Sequence, residues 1–181
     1  LTGTLAATDS YPVSFRNGGR VIAVAVEVGD LVAKGAVLAR LDPTQAEAAR
    51  RAAQAVLDGA EAALWQAGLA KERAERLLAR GTGTQADLDA ATEAWTSARA
   101  GRDQAEAALE KARRAVEDCS LLAVEDAIVT ARQVEPGQVV GAGQTALVLA
   151  GQTGREAVFL APDGLQLEEN LGHKVMLTPL D

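Results

Sequence analysis

Residues able to do covalent or metal chemistry are few in this 181-residue chain: one cysteine, Cys119, and one histidine, His173. A Ser/His/Asp or Cys/His relay would have to run through His173, and a structural zinc site needs several thiolate or imidazole ligands. Neither can be assembled, and no internal disulfide is possible. His173 follows Gly172 in an expected turn, where it reads as a solvated side chain. Gly81-Thr82-Gly83-Thr84 has the glycines of a phosphate loop but lacks its lysine and preceding strand. Acidic residues are plentiful, but in the helical stretches they read as a solvated face, where pairs such as Glu72 and Arg76 support each other. No catalytic residue, cofactor or metal is expected, and the chain does not read as an enzyme. The stretch around Gly81–Gly83 has a structural reading of its own. There Thr84-Gln85-Ala86-Asp87 is a capping-box-like helix start and Gly81 suits a helix end. Arg73 has no structural duty visible in the sequence.

The elements that position this stretch are two long helices folded back on each other between Pro43 and Glu117, with Arg80–Thr84 as the turn. In the first arm, apolar or small residues fall at Ala49, Ala53, Val56, Ala60, Ala63, Ala67, Ala70, Ala74 and Leu77. In the second they fall at Leu88, Ala91, Trp95, Ala98, Ala105, Leu109, Ala112 and Val116, with Arg102 the one break. Steps of three and four in alternation are the seam of a coiled coil. At about 1.5 Å per residue, arms of more than 30 residues reach roughly 50 Å, which makes a rod. Folding about Gly81–Gly83 sets Leu77 opposite Leu88, Ala74 opposite Ala91, Ala70 opposite Trp95 and Val56 opposite Leu109. Arg102 then faces Ala63, with Glu61 near enough to pair and a long stem to carry the charge to water. Gly59, Gly68 and Gly101 flank the seam, either as flat sides for a neighbouring copy or as tolerated defects. Trp65 lies off the seam, a candidate for lateral contact.

Composition narrows the class. Apolar residues make up 48% of the chain and exclude a largely disordered one, while aromatics at 3% argue against a thick core. The net charge of −7 disfavours nucleic acid or an anionic membrane surface as main partner. No run of 18 apolar residues and no leader is present; because the chain starts at Leu1, a leader or anchor is expected outside it. Before the hairpin, Val13–Phe15, Arg20–Val26 and Val37–Leu41 read as strands broken by Gly18-Gly19, Gly29-Asp30 and Gly35, glycines that supply turns of positive φ. Asp42-Pro43-Thr44-Gln45 then opens the helix, with Asp42 as cap, Pro43 first in the helix and Gln45 reaching back. After the hairpin the β text returns. Residues 21–41 laid on 129–149 match at eight positions: Val21/Val129, Ala23/Ala131, Val26/Val134, Glu27/Glu135, Gly29/Gly137, Val32/Val140, Gly35/Gly143 and Leu41/Leu149. Each half is too small to bury a face alone, so the two are expected to pack as one small sandwich with the hairpin inserted between them.

Half-motifs running Gly-Arg-Val…Val-Glu-Val-Gly-Asp…Lys-Gly…Leu-Ala-Arg-Leu-Asp, split by a helical hairpin, resemble the periplasmic adaptors, or membrane fusion proteins (HlyD-like), of bacterial efflux and secretion systems. The likeness covers about residues 2–150. It departs at Ala123-Val124-Glu125-Asp126-Ala127, where the family usually has Ala-Pro…Asp-Gly. It implies an α+β fold: a split biotinyl/lipoyl-like β-sandwich from 1–42 plus 119–151, an α-helical hairpin over 43–118, and the start of a β-barrel in 152–181. Strands are expected at Glu156–Leu160 and Gly172–Thr178, in a barrel either truncated or abbreviated. Carrier domains of the biotinyl/lipoyl type bear a modified lysine at the turn linking their halves; here the hairpin replaces that turn and Lys34 lies inside a half-motif, so no covalent cofactor is expected. In drug-efflux adaptors the tip carries Arg, Leu four residues on and Ser seven further, and Arg73, Leu77 and Thr84 stand at those spacings. The resemblance implies that these three meet an outer-membrane channel. It implies also an inner-membrane transporter, with the resistance-nodulation-division class favoured, and self-association into a trimeric or hexameric ring. The protein would lie in the periplasm, held to the inner membrane by a segment outside this chain. A lone Met, His and Cys argue against a soft-metal exporter. Alternatives are a biotin or lipoate carrier subunit, an adaptor of an ATP-driven exporter or type I secretion system, and a coiled-coil spacer.

Overall fold

The computed structural model describes residues 3–7, 10–151 and 155–159. Strands β1 (Gly3–Ala7), β2 (Ser10–Ser14), β3 (Gly19–Val24), β4 (Leu31–Val32) and β5 (Val37–Leu41) lead into helices α1 (Thr44–Ala79) and α2 (Gln85–Glu117). Strands β6 (Ser120–Leu122), β7 (Ala127–Arg132), β8 (Val139–Val140), β9 (Thr145–Gly151) and β10 (Arg155–Phe159) follow. Two antiparallel four-stranded sheets, ordered β2-β9-β7-β4 and β6-β5-β3-β8, make a sandwich, and the fold is α+β.

The two halves of the repeat are interlocked. Each gives its two-residue strand to the other half's sheet: β4 pairs with β7 (Leu31↔Ile128, Val32↔Ala127) and β8 with β3 (Arg20↔Val139, Gly19↔Val140). Backbone bonds obey the same exchange. Gly29 N–H donates to the Val129 carbonyl at 2.8 Å and Gly137 N–H to the Val21 carbonyl at 2.7 Å; Val129 N–H donates to Asp30 at 3.0 Å and Val21 N–H to Gln138 at 2.8 Å. The symmetry reaches beyond the stretch legible in the sequence. Strand β6 on β5 (Val37↔Leu122, Arg40↔Ser120) repeats β2 on β9 (Ser14↔Thr145, Pro12↔Val148), though no residue is identical between 10–20 and 118–128. Gly29, Gly35, Gly137 and Gly143 all have positive φ, which explains why glycine persists at both copies of both turns. Gly18 does not turn; a Cβ there would come within 3.0 Å of the Val140 carbonyl oxygen, so this glycine lets two backbones approach.

Inward residues of the two sheets fill one core, in which Phe15, Val21, Leu38, Val129, Val134, Leu147 and Leu149 are fully buried. Repeat-related positions are not equal in size: Phe15 stands where the second half has Ala123, and Leu38 where it has Ala146, so bulk on one side fills room on the other. Asp126, where the second half departs from the family pattern, accepts a bond from the Lys34 amide at 2.8 Å and ties one half to the turn of the other. Strand β1 was read in sequence as part of the sandwich; it pairs instead with β10 in a separate two-stranded ribbon (Gly3↔Phe159, Ala7↔Arg155). The expected strand Gly172–Thr178, His173 and the rest of the barrel lie outside the described residues.

The hairpin corrects the sequence reading of α1. On α2 the inward positions are those expected. On α1 only Ala53, Ala60, Ala67 and Ala74 keep their places, while the other half of the seam moves on by one residue. Leu57 is buried (8% exposed) where Val56 stands out at 62%; Leu64 replaces Ala63, Lys71 replaces Ala70, and Leu78 replaces Leu77. In an Ala-rich helix almost any heptad phase can be written through alanines, and the phase that buries the larger leucines wins because each hides far more apolar area. Leu57 packs with Ala105 and Leu109, flanked by Ala53 and Ala60. Trp95 lies against Gly68 and under Lys71, not against Ala70; a Cβ at Gly68 would sit 3.7 Å from the indole. Arg102 pairs with Asp103 (3.1 Å) and Glu106 (2.6 Å) along its own helix instead of crossing to Glu61. Leu57→Ala is therefore expected to cost about 2–3 kcal/mol of unfolding free energy. Val56→Ala is expected to cost under about 0.5 kcal/mol. Urea unfolding followed by circular dichroism measures both, and equal effects would refute this seam.

Candidate functional site

The far end of the rod is closed by two interlocking caps. Helix α1 ends in a Schellman turn: the Gly81 amide bonds the Leu78 carbonyl at 2.9 Å and the Thr82 amide bonds the Leu77 carbonyl at 3.0 Å, with Gly81 at φ +72°. The Leu77 carbonyl also accepts from the Gly83 amide at 3.1 Å and from the Thr82 hydroxyl at 3.2 Å. Gly83 folds so close that a Cβ would lie 3.0 Å from both Leu77 Cβ and the Leu78 nitrogen. Helix α2 opens on a capping box: the Asp87 amide donates to Thr84 Oγ1 at 3.2 Å, while the Thr84 amide (3.1 Å) and hydroxyl (2.6 Å) donate to the Asp87 carboxylate. The Thr84 hydroxyl, and after it the Thr84 amide, hold the Asp87 carboxyl below its usual range.

Of the residues singled out in sequence, Arg73 and Leu77 lie one turn apart on the outer side of α1. Arg73 is exposed and makes no ion pair among the described residues; Leu77 is 42% exposed and its backbone holds the turn. Thr84 begins the other helix with its hydroxyl committed to the capping box. The structure thus gathers all three at the end of the rod and splits their duties, with Leu77 and Thr84 structural as well as accessible and Arg73 wholly free. A cationic stack was missed in sequence: Lys71 Nζ lies 4.6 Å and Arg99 Cζ 5.7 Å from the Trp95 ring centre. Arg99 four residues after Trp95 was visible; Lys71 was not, because its place was assigned to Ala70.

At the other end the rod grows out of one sheet. Strand β5 runs into α1 and α2 into β6, and the Leu41 amide donates to the Cys119 carbonyl at 2.8 Å, so both roots stand side by side. Asp42 accepts from the Thr44 hydroxyl and, after it, from the Thr44 amide (3.0 Å), which draw its carboxyl below the ordinary value; Pro43 takes the cap position itself, and Gln45 does not reach back. Arg16 braces Asp118 at 3.8 Å. Cys119 is buried, and burial, followed by the charges of Asp118, Asp42 and Glu47, pushes its thiol up, so it stays a protonated packing group. Lys34 is exposed in the turn between β4 and β5, away from the link between halves. Among the described residues no group of three or more His, Cys, Asp or Glu could hold a metal ion, and no helix is long and apolar enough to cross a membrane.

A sandwich made of two interlocked halves with a helical rod between them can be set beside known proteins. No family model matches the chain. A UPF0194 membrane protein of Citrobacter koseri is 28% identical over 190 aligned positions, which take in 76% of this chain and 57% of that relative. A Bacteroides eggerthii protein assigned to efflux transport superposes with a TM-score of 0.64 at 26% identity, over 83% of this chain and 42% of its own. The membrane fusion protein Spr0693 of Streptococcus pneumoniae superposes with a TM-score of 0.65 at 22% identity, over 87% and 65%. This chain has the fold seen in membrane fusion proteins. It spans little more than half the length of the curated relative it matches. Within the adaptor fold, the rod is the hairpin and its capped end is the tip.

Thr84→Ala is expected to destabilise the hairpin by about 1 kcal/mol and Thr84→Ser to restore it. The folded pKa of Asp87 is lowered, so its stabilisation is complete above the ordinary carboxylate value and is lost as pH falls through the folded one. The stability gap between wild type and Thr84→Ala should therefore shrink below about pH 4. Denaturant titrations at pH 7 and pH 3 read this directly, and a gap that stays constant would contradict it.

Proposed function

We propose that this chain is the adaptor subunit of a tripartite efflux pump in the periplasm, bridging an inner-membrane transporter to an outer-membrane channel through its hairpin tip. The observation that carries this reading is a rigid rod of 36- and 33-residue helices, rooted at both ends in one sandwich and presenting Arg73 and Leu77 at its far end. Helices of that length reach about 50 Å. A side chain as long as arginine's, exposed and without an ion pair, is suited to carboxylates or backbone carbonyls of a second protein. The Arg73–Leu77–Thr84 spacing favours a proton-driven transporter of the resistance-nodulation-division class over an ATP-driven one. The work is mechanical and non-catalytic: copies of the adaptor seal a conduit and transmit movement along the rod. The efflux assignment of the Bacteroides eggerthii protein supports the same reading. The protein would be held to the inner membrane by a segment outside the described residues.

The test is made in cells. Photo-crosslinkers at Arg73 and at Thr84 should capture an outer-membrane channel. Arg73→Asp should lower export about tenfold, equivalent to about 1.4 kcal/mol of docking free energy, with adaptor level unchanged. Failure of both crosslinkers to reach a channel would sink the docking assignment and leave the fold intact.

A further inference from the structure

The rod and the β1/β10 ribbon leave the sandwich at places related by the repeat. Strands β5 and β6 run into the two helices, and their repeat equivalents β9 and β2 adjoin β10 and β1. Tyr11, opposite Leu149, therefore holds the place of Cys119, whose carbonyl takes the Leu41 amide at the root of the rod. The loops that cross between the sheets beside these two exits are equivalent as well: residues 15–18 at the rod, 123–126 at the ribbon. Loop 15–18 braces the rod through Arg16 and Asp118. The counterparts of that pair are Val124 and Ser10, which cannot form an ion pair. At the ribbon the next residue, Glu125, reaches over instead.

The Glu125 carboxylate lies over the end of β9, where a Cβ on Gly151 would stand 3.7 Å from its Oε1. On the far side of β9 is Tyr11. Its ring packs on the core, and its hydroxyl is shielded from water without a hydrogen bond of good geometry. Such an oxygen is costly to leave unpaired, and a hydroxyl donating to a carboxylate makes one of the stronger hydrogen bonds. Burial, and after it the nearby Glu125 carboxylate, push the phenol above its ordinary value. Glu125 is itself exposed, so its side chain has a hydrated alternative outside. The backbone on either side is fixed. Ala123 donates to Ala36 at 2.9 Å and accepts from Gly35 at 2.8 Å, and Asp126 accepts from the Lys34 amide. The arc left to move is Val124–Glu125.

Strand β2 has few other ties. It is an edge strand bonded to β9 alone, its register slips between Val13 and Ser14, and Pro12 has no N–H to give. We propose that Tyr11 and Glu125 form a clasp across the end of β9. Closed, with the phenol donating to the carboxylate, it holds β2 and the adjoining ribbon against the sandwich. Open, with Glu125 turned to water, it frees the ribbon end of β2 to move independently of the sandwich and the rod. The clasp lies between sandwich and ribbon, and stands whether or not the tip docks on a channel.

The test compares the full-length protein with its Tyr11→Phe, Glu125→Ala and doubly substituted variants by amide hydrogen exchange. Each single change should speed exchange about tenfold in residues 10–13 and in the ribbon strands, leaving β3, β5 and the helices as they were. The double variant should exchange no faster than either single one, because each change removes the same bond. Ultraviolet titration of the phenolate, taken as the difference from Tyr11→Phe, follows this one hydroxyl. Its midpoint should fall in Glu125→Gln yet stay above that of free tyrosine, since the burial remains. Far-UV circular dichroism confirms that every variant is folded. A folded Glu125→Ala protein whose ribbon exchanges at the wild-type rate overturns the proposal. So does a phenol midpoint indifferent to Glu125→Gln, or a double variant in which the two effects add.

Discussion

The hydrogen-bonded exchange of β4 and β8 between the two halves is the constraint on which everything else rests. Neither half owns a complete sheet; each is finished by two residues of the other. A two-residue strand has almost no stability of its own, so the halves fold together or not at all. The rod can be inserted between them because the exchange brings its ends together: β5 and β6 are neighbours, and Leu41 bonds Cys119 directly. Closing so long an insertion costs little once it is itself a hairpin whose ends already meet. The direction of the rod is then set by two adjacent strands of one sheet, not by a flexible linker.

Along the rod, burial falls away from the root. Leu57, Ala105 and Leu109 are the buried seam residues, and all lie in the half nearest the sandwich. Toward the tip the seam is alanine and half-covered leucine, with Lys71 lying over Trp95 where an apolar side chain would be usual. Alanine keeps the helices close and intrinsically helical but hides little surface. The outer half therefore leans on local devices: the ion pair Lys71–Glu75, the indole with Lys71 and Arg99 close to its ring, and the caps at either side of the turn.

How much of this was legible in the sequence depends on which residues carry the signal. Turn glycines repeat because L side chains rarely adopt positive φ, so Gly29/Gly137 and Gly35/Gly143 revealed the duplication. Strands β2 and β6 share no residue, since an edge strand constrains only which side is apolar, and their equivalence emerged from the pairing alone. On α2 the larger side chains Leu88, Trp95 and Leu109 marked the seam unambiguously. On α1 the alanines supported two phases, and the decisive leucines, Leu57, Leu64 and Leu78, were passed over. In the sequence Arg102 faces Ala63, with Glu61 near enough to pair and a stem long enough to carry the charge to water. One-third exposure lets its own-helix neighbours Asp103 and Glu106 serve. The capping box at Thr84 was legible because its chemistry is local, and Gly83 was not, because its need for glycine comes from Leu77 and Leu78 folding back against it.

The same division of labour bears on what the tip offers to a partner. Thr84 cannot present its hydroxyl as a free donor while Asp87 holds it, and Leu77 cannot move without disturbing a carbonyl that accepts three hydrogen bonds. These residues form a platform whose shape is set by the turn that closes the rod. Arg73 stands one turn back from that platform with its guanidinium uncommitted. A partner that docked here would meet preorganised apolar shape first and a single mobile charge beside it. Such a surface favours attachment with little ordering cost at the platform and leaves the strength of the attachment to one arginine.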